Sequence, residues 1–474
     1  MTEPARQMPL PTSADVSSLD MPALYARHAT DCYDLYGRHS NEQMVRMLKT
    51  VGLDVDFCRG EGQYLYDRGG TRYLDLLAGF GVFAIGRNHP TLQTALRSVL
   101  DSTLPNLIQM DAPRLAALLA QRLLQHVPYL QKAFFANSGA EAVDAALKFA
   151  RASTGRVGIV YCDHAFHGVT YGALSVNGDE TFRGGFGPFL PGCARIPFND
   201  LAALDRALGG GDVAAFIVEP IQGKGVNVAA ADYLQGAAEL CRRHGTVLIA
   251  DEIQTGLGRT GRFLAVEHWN VEPDIVLVSK ALSGGYVPVS AVLMRKRIFD
   301  KVFDRMDRAM AAVSTFAENN LAMAAGIATL EVIAGEKLVE RAASMGQRLL
   351  REFSAMSSRY ELMYEARGKG LMIAIDFARP QSRALRAEWD LIEKAREGLF
   401  GQVITIPLFT EHKILSQVAG PNSHAVKLLP PLIITESDCD WIVKAVEAVL
   451  AASHRVPGAA WSLGKTLIAN FVRA

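Results

Sequence analysis

Thr246–Gly258 reads TVLIADEIQTGLG, and Asp274–Lys280 reads DIVLVSK. Each is a short apolar run that stops on reactive side chains, Asp251-Glu252 in the first and Ser279-Lys280 in the second. Runs without polar alternation suit the strands of a parallel sheet buried on both faces. Three more share the pattern: KAFFAN (132–137), RVGIVYCD (156–163) and AAFIVEP (214–220). Each of the five is read as a strand followed by helical periodicity, which predicts a βα alternation. In an open α/β sheet ligands bind beyond the carboxyl ends of the strands. Asn137-Ser138, Asp163, Glu219, Asp251 and Lys280 should therefore meet at one rim.

Outward from this core the pattern changes. Residues from Met21 to Leu53 carry helical spacing without strong caps, and Gly62–Leu77 reads as a hairpin turning at Asp67-Arg68-Gly69-Gly70. After Gly335 come a helical run (Glu336–Phe353), a strand LMIAIDF, a helix (Ser382–Leu399), an apolar strand with a Pro-Pro step (Leu428–Ile434) and a helix (Glu436–Leu450). These boundaries predict an N-terminal arm (1–60), a large domain (61–334, its hairpin contributing to the small one), a small α+β domain (335–450) and an extension (451–474).

Composition excludes several classes. Lys+Arg and Asp+Glu both number 49, so the net charge is zero and no basic excess marks a nucleic-acid partner. Hydrophobic residues make up 49% and charged residues 21%, a globular balance. The six cysteines form no CxxC pair, and MTEPARQMPLPTSAD lacks the apolar stretch of a secretory leader. No run reaches the length of a transmembrane helix. The expected setting is cytoplasmic.

Three motifs carry chemistry. Ser138-x-x-Glu141 is a capping box at a strand-to-helix step, where free N–H groups can cradle an anion or simply begin a helix. Lys280 at a strand tip is harder to explain as scaffold, since lysines avoid burial unless paired or reactive. A lysine with an aspartate partner, Asp251, suits Schiff-base chemistry on pyridoxal phosphate. His164 and His167 lack a third ligand at suitable spacing, so no metal is expected. In SLGKT (462–466), five residues and not four separate Gly458 from Gly464, and no strand precedes it, so it is not a P-loop; no G-x-G-x-x-G opens a helix after a strand.

Together the segments LLAGFGVFAIGRNHP (76–90), NSGAEAVDAALKFAR (137–151), AFHGVTYGALS (165–175), EPIQG (219–223), DEIQTGLGRTG (251–261), SKALSGG (279–285), STF (314–316), RGKGLMIAIDF (367–377) and LLPPLIIT (428–435) resemble the class III pyridoxal phosphate-dependent aminotransferases. The resemblance runs from Gly60 to Leu450 and is nearest to the putrescine, ornithine and acetylornithine branch. It implies fold type I: a large domain with a mainly parallel seven-stranded sheet and a small α+β domain. It also implies roles. Lys280 would hold the cofactor as a Schiff base and move the substrate proton. Asp251 would pair with the ring nitrogen, Phe166 and Ile253 would cover the ring faces, and Gln254 would bond the ring hydroxyl. Ser138, Gly139 and Ala140 would hold the phosphate, and Thr315 would reach it from the neighbouring subunit of a homodimer. His167 and Glu219 would belong to the cofactor site.

Departures from the family pattern bear on substrate. Val169 stands where acetylornithine-type members carry Arg, Lys224 replaces the Glu of EPxQGE, and Lys427 replaces an Arg. A lysine cannot reproduce a bidentate Arg–carboxylate clamp. Phe80, Val169, Lys224 and Lys427 are thus the candidate substrate residues. STFAENNLAMAAG (314–326) with GKGVN (223–227) resembles the hopanoid-type enzymes, which aminate large hydrophobic aldehydes. Trp461, Leu463, Leu467, Ile468, Phe471 and Val472 would mostly share one helical face, fit either for a membrane surface or for the protein's own. The expected reaction is amino transfer from an amine or amino acid to an aldehyde or 2-oxo acid in ping-pong order. Aminomutase, racemase and decarboxylase chemistry share the same motifs. A non-catalytic lipid-surface role is opposed by the intact Lys280 and Asp251.

Overall fold

The five apolar runs become strands β4 (Lys132–Ala136), β5 (Gly158–Cys162), β7 (Val213–Val218), β8 (Val247–Asp251) and β9 (Ile275–Val278) of one sheet. With β6 (Cys193–Ile196) and β10 (Ser290–Met294) the order is β4-β10-β9-β8-β7-β5-β6. Neighbours from β9 to β6 pair in parallel, and β10 runs antiparallel to both β9 and β4. The computed structural model describes residues 19–458, 461–465 and 467.

Every residue of β5, β7, β8, β9 and β10 is buried, as two covered faces require. Alternate residues enter opposite cores. Phe216, Val218 and Leu248 pack with Tyr233, Leu234 and Ala237 on one face. Ile217, Val247 and Ile249 pack with Ala142, Ala146 and Phe149 of the helix Gly139–Thr154 on the other. That helix stops at Gly155, whose φ of 70° caps it in the left-handed conformation that glycine tolerates.

Two strands of this sheet escaped the sequence reading, and β9 is followed by a single 3-10 turn (Lys280–Ser283) and the reversed β10, with no helix between. CARI is short and polar at its centre, and SAVLM follows a loop with no strand-start signal.

Toward the C-terminus a second sheet forms from β11 (Met363–Lys369), β12 (Met372–Phe377), β14 (Gln417–Val418) and β15 (Val426–Leu428), in the order β11-β12-β15-β14; the other described strands are β1 (Phe57–Glu61), β2 (Tyr64–Asp67), β3 (Arg72–Asp75) and β13 (Ile414–Leu415). Here β15 ends at Leu428, so the Pro-Pro step lies in a loop and outside any strand. The helices Leu338–Ser357 and Glu436–Ser453 match their expected positions. The helix expected over 382–399 ends at Ala395, and a second one, Phe400–Thr410, follows. Its residues are almost all buried and it contains Pro407, so it shows no amphipathic period.

Among the described residues, 19–59 together with 66–72 form one compact unit, and 60–65 with those from 73 onward form another. In the first, the helices Met21–Arg27 and Glu42–Thr50 are capped by Asp20 and Asn41, which accept from Ala23 and Met44 N–H; the caps expected to be weak are present. The expected turn forms, with Thr71 N–H donating to Asp67 Oδ1 at 2.8 Å.

The described part of the tail packs on the protein itself. Trp461 is buried, donates from Nε1 to the Ser453 carbonyl at 2.9 Å and lies 5.8 Å from the Phe400 ring, while Lys465 pairs with Glu388. Leu467 is buried too, so neither residue is available to a membrane surface. Ile468, Phe471 and Val472 lie outside the described residues. No described helix is long and apolar enough to cross a membrane.

Candidate active site

Asp251 closes β8 and is buried. Its Oδ1 accepts from Ile253 N–H at 3.0 Å, and its Oδ2 lies 2.7 Å from His167 Nδ1. His167 is buried as well, and burial opposes its protonation. The hydrogen bond and charge of Asp251, with the charge of Glu219, outweigh that penalty and hold the imidazole pKa above its ordinary value. Nδ1–H therefore donates to the carboxylate.

Lys280 follows β9 with φ of 32°, a strained conformation for a residue with a side chain. Ser283 Oγ donates to its carbonyl at 2.8 Å, and Ser279 Oγ ties the preceding residue to Val289 O. Burial lowers the pKa of the Lys280 amine; Asp251 and Glu219 oppose the shift and Lys224 reinforces it. Lowering the pKa of an amine enlarges its unprotonated, nucleophilic fraction.

Glu219, just beyond β7, accepts from Gly223 N–H at 2.8 Å and Phe166 N–H at 3.0 Å. Burial raises its pKa, His167 opposes the rise and Asp251 adds to it. It thereby fixes the loop carrying Phe166, whose ring meets Phe182 edge-on at 5.1 Å. Lys224 Nζ stands 5.1 Å from the Phe166 ring centroid and 4.8 Å from that of Phe182. Burial lowers the Lys224 pKa against the pull of Asp179 and Glu219.

Ser138 caps the helix Gly139–Thr154, its Oγ accepting from Glu141 N–H at 3.2 Å. The reciprocal half of the expected box differs: Glu141 Oε2 accepts from the N–H and Nδ2 of Asn137, one residue earlier. A Cβ on Gly139 would stand 3.1 Å from Ile253 side-chain atoms, so bare backbone faces that side chain. Gln254 Nε2 donates to the Phe80 carbonyl at 3.0 Å, and its Oε1 receives Lys427 Nζ at 3.3 Å. The strand ends β4, β7, β8 and β9 thus hold Ser138, Glu219, Asp251 and Lys280. Val169 is exposed, and Thr315 lies on an exposed bend where Gln109 Nε2 approaches its carbonyl at 3.4 Å.

A family model described as aminotransferase class-III matches residues 48–450. The chain belongs to that family. Among class-III relatives, the aminotransferase PigE of Serratia sp. (strain ATCC 39006) is 34% identical over 452 residues, covering 88% of this chain and 53% of that protein. The chain thus spans about half the length of that curated relative. The ornithine aminotransferase of Toxoplasma gondii ME49 superposes with a TM-score of 0.75 at 32% identity, covering 84% of this chain and 90% of that one. An amine transaminase from an uncultivated Pseudomonas species, solved with pyridoxal phosphate bound, gives 0.71 at 31% identity over 84% and 94%. The fold is fold type I, and pyridoxal phosphate is the cofactor of these class-III enzymes.

The residues present fit that group. A helix N-terminus backed by a glycine suits its phosphate, a buried carboxylate suits its ring nitrogen, and an amine of lowered pKa suits its aldehyde. Three contributors were missed in the sequence. Ser290 Oγ donates to the Ser138 carbonyl at 2.8 Å, Asn137 Nδ2 to Ser314 Oγ at 2.7 Å, and Phe182 completes the aromatic pair. Ser290 and Ser314 lie 152 and 177 residues from their partners, and no local pattern could announce them.

Proposed function

We propose that this protein is a pyridoxal phosphate-dependent aminotransferase acting on an amine or amino-acid donor of ornithine, putrescine or glutamate type, with an aldehyde or 2-oxo acid as acceptor. The observation that carries this reading is the convergence of Lys280, with its lowered pKa, and the His167-bound Asp251 at neighbouring strand ends. When bound, pyridoxal phosphate supplies an electron sink for the carbanion left by proton loss at the amine carbon.

The residues then divide the work. Lys280 Nζ would hold the cofactor at rest and, once released, would take the proton from the substrate carbon and deliver it to the cofactor carbon to which it had been bonded. Asp251, fixed by His167 and Ile253 N–H, keeps a negative charge against the ring nitrogen. Phe166 and Ile253 would cover the two ring faces, and Gln254 would face the ring hydroxyl. Ser138, Gly139 and Ala140 bind phosphate through the helix N-terminus. Donor and acceptor use one pocket in turn, a ping-pong order.

A homodimer completes the site, with Thr315 of one protomer serving the other. Support comes from the apolar side chains left exposed around that bend, among them Met110, Val313 and Phe316. The test is a visible spectrum of the purified protein titrated with glutamate, ornithine, putrescine, 4-aminobutyrate, alanine and a long-chain amine. A yellow band bleached by one donor names the donor class. A yellow band bleached by none overturns transamination for these donors and moves the reading to racemase or mutase chemistry.

A further inference from the structure

Lys427 occupies the position where the resembling enzymes carry a carboxylate-binding arginine, yet it is only 3% exposed. Its Nζ donates to the Gly223 carbonyl at 2.6 Å and to Gln254 Oε1 at 3.3 Å. Two of three N–H groups are thus spent inside the protein. Receiving Lys427 at Oε1 leaves Gln254 one amide orientation, with Nε2 turned to the Phe80 carbonyl at 3.0 Å. Phe80 is the third of four successive left-handed residues: Ala78 (φ 47°), Gly79 (61°), Phe80 (61°) and Gly81 (91°). Such backbone persists only where neighbours over-determine it. Asp75 Oδ1 holds its start, accepting from the N–H groups of Leu77 and Ala78. Gln254 holds its middle, with the Phe80 ring 56% exposed.

We propose that Lys427 is a positioning residue that locks the Gln254 amide, and through it the Phe80 loop, and that it does not clamp a substrate carboxylate. Four groups set its charge: Lys224, Lys280 and Arg259 disfavour its proton and Glu219 favours it, while burial is the largest influence and also disfavours it. A partly neutral amine is a poor carboxylate anchor and a sufficient hydrogen-bond donor to two oxygens. The consequence for substrate class is that a second carboxylate on the acceptor gains nothing from this residue.

The inference rests on the aminotransferase reading above. The test compares wild type, Lys427→Met, Lys427→Gln, Gln254→Ala and the Lys427→Met/Gln254→Ala double variant, all loaded with pyridoxal phosphate. One readout is the pH midpoint of the visible band; the other is kcat/KM for 2-oxoglutarate against pyruvate. Losing a cation and freeing Gln254 should move the midpoint upward by about half a pH unit or more. Most of that shift should vanish when Gln254 is already alanine, leaving only the part due to the lost charge, and both acceptors should lose kcat/KM by the same factor. Lys427→Gln, which keeps a donor, should recover part of the loss. An unmoved midpoint, a shift undiminished in the Gln254→Ala background, or a tenfold or greater loss confined to 2-oxoglutarate would each overturn the proposal. A wild type that takes up no cofactor would overturn the aminotransferase reading and this one with it; a yellow wild type with unmoved variants overturns this one alone.

Discussion

Lys280 and Asp251 each concentrate a chemical requirement in one side chain. Lys280→Ala should abolish turnover while still admitting pyridoxal phosphate noncovalently, seen as uptake without the yellow band; full activity in that variant would refute the mechanism. Asp251→Asn keeps the shape but removes the charge that faces the ring nitrogen and His167. Activity should fall by several orders of magnitude, read as single-turnover rates with the best donor, and a normal rate would remove Asp251 from the mechanism. Lys427 yields a stability prediction for the cofactor-free protein. Burial, reinforced by Lys224 and Lys280, pushes its pKa down to about 7. An unfolded chain restores about 10.4. Between these values the unfolded state binds more protons, so the group's destabilising effect is full below about pH 7 and fades as pH rises toward the unfolded value. Comparing thermal unfolding at about pH 6 and about pH 9, the Tm of wild type relative to Lys427→Met should rise with pH. A difference that stays constant would show that Lys427 titrates normally in the fold.

The elements convert such side chains into a site by ending where they do. Ser138 sits where β4 gives way to the helix Gly139–Thr154, and Gly139 is its first residue. Alanine at 139 would suit the helix, but its Cβ would meet Ile253 at 3.1 Å. Gly139→Ala should therefore keep Tm within a few degrees and weaken pyridoxal phosphate binding about tenfold, measured by titrating the apo protein; unchanged binding would mean that Ile253 does not pack against the cofactor. Strand ends of this kind are legible in sequence, because an apolar run that stops on Asp, Glu or Lys states both the element and its chemistry. That is why the places of Asp251, Glu219 and Lys280 at strand ends could be read directly. Contacts between distant elements leave no such mark. His167 finds Asp251 across 84 residues and Lys427 finds Gly223 across 204. The helix Phe400–Thr410 was missed for a related reason: burial on all sides erases the period that would have revealed it.

At the scale of the whole molecule, the exposed apolar side chains ask for a partner. Met110 is 91% and Met306 95% exposed, and Ile108, Met310, Val313 and Phe316 are exposed too, several of them close in sequence to Thr315. Apolar exposure on that scale is the observation behind the homodimer proposed above. A homodimer sharing its sites makes a sharper prediction than mass alone. Suppose Thr315 of one protomer serves the phosphate site of the other. A dimer of one Lys280→Ala and one Thr315→Ala subunit then holds one doubly defective site and one intact site, built from the Lys280 of the second subunit and the Thr315 of the first. Unfolding and refolding a mixture of the two inactive parents, then isolating the mixed dimer by differential tags, should recover up to half the wild-type activity per dimer. If Thr315 instead serves its own chain, the mixed dimer can do no better than the Thr315→Ala parent. Recovery above that parent therefore decides in favour of the shared site, and its absence in a purified mixed dimer decides against it.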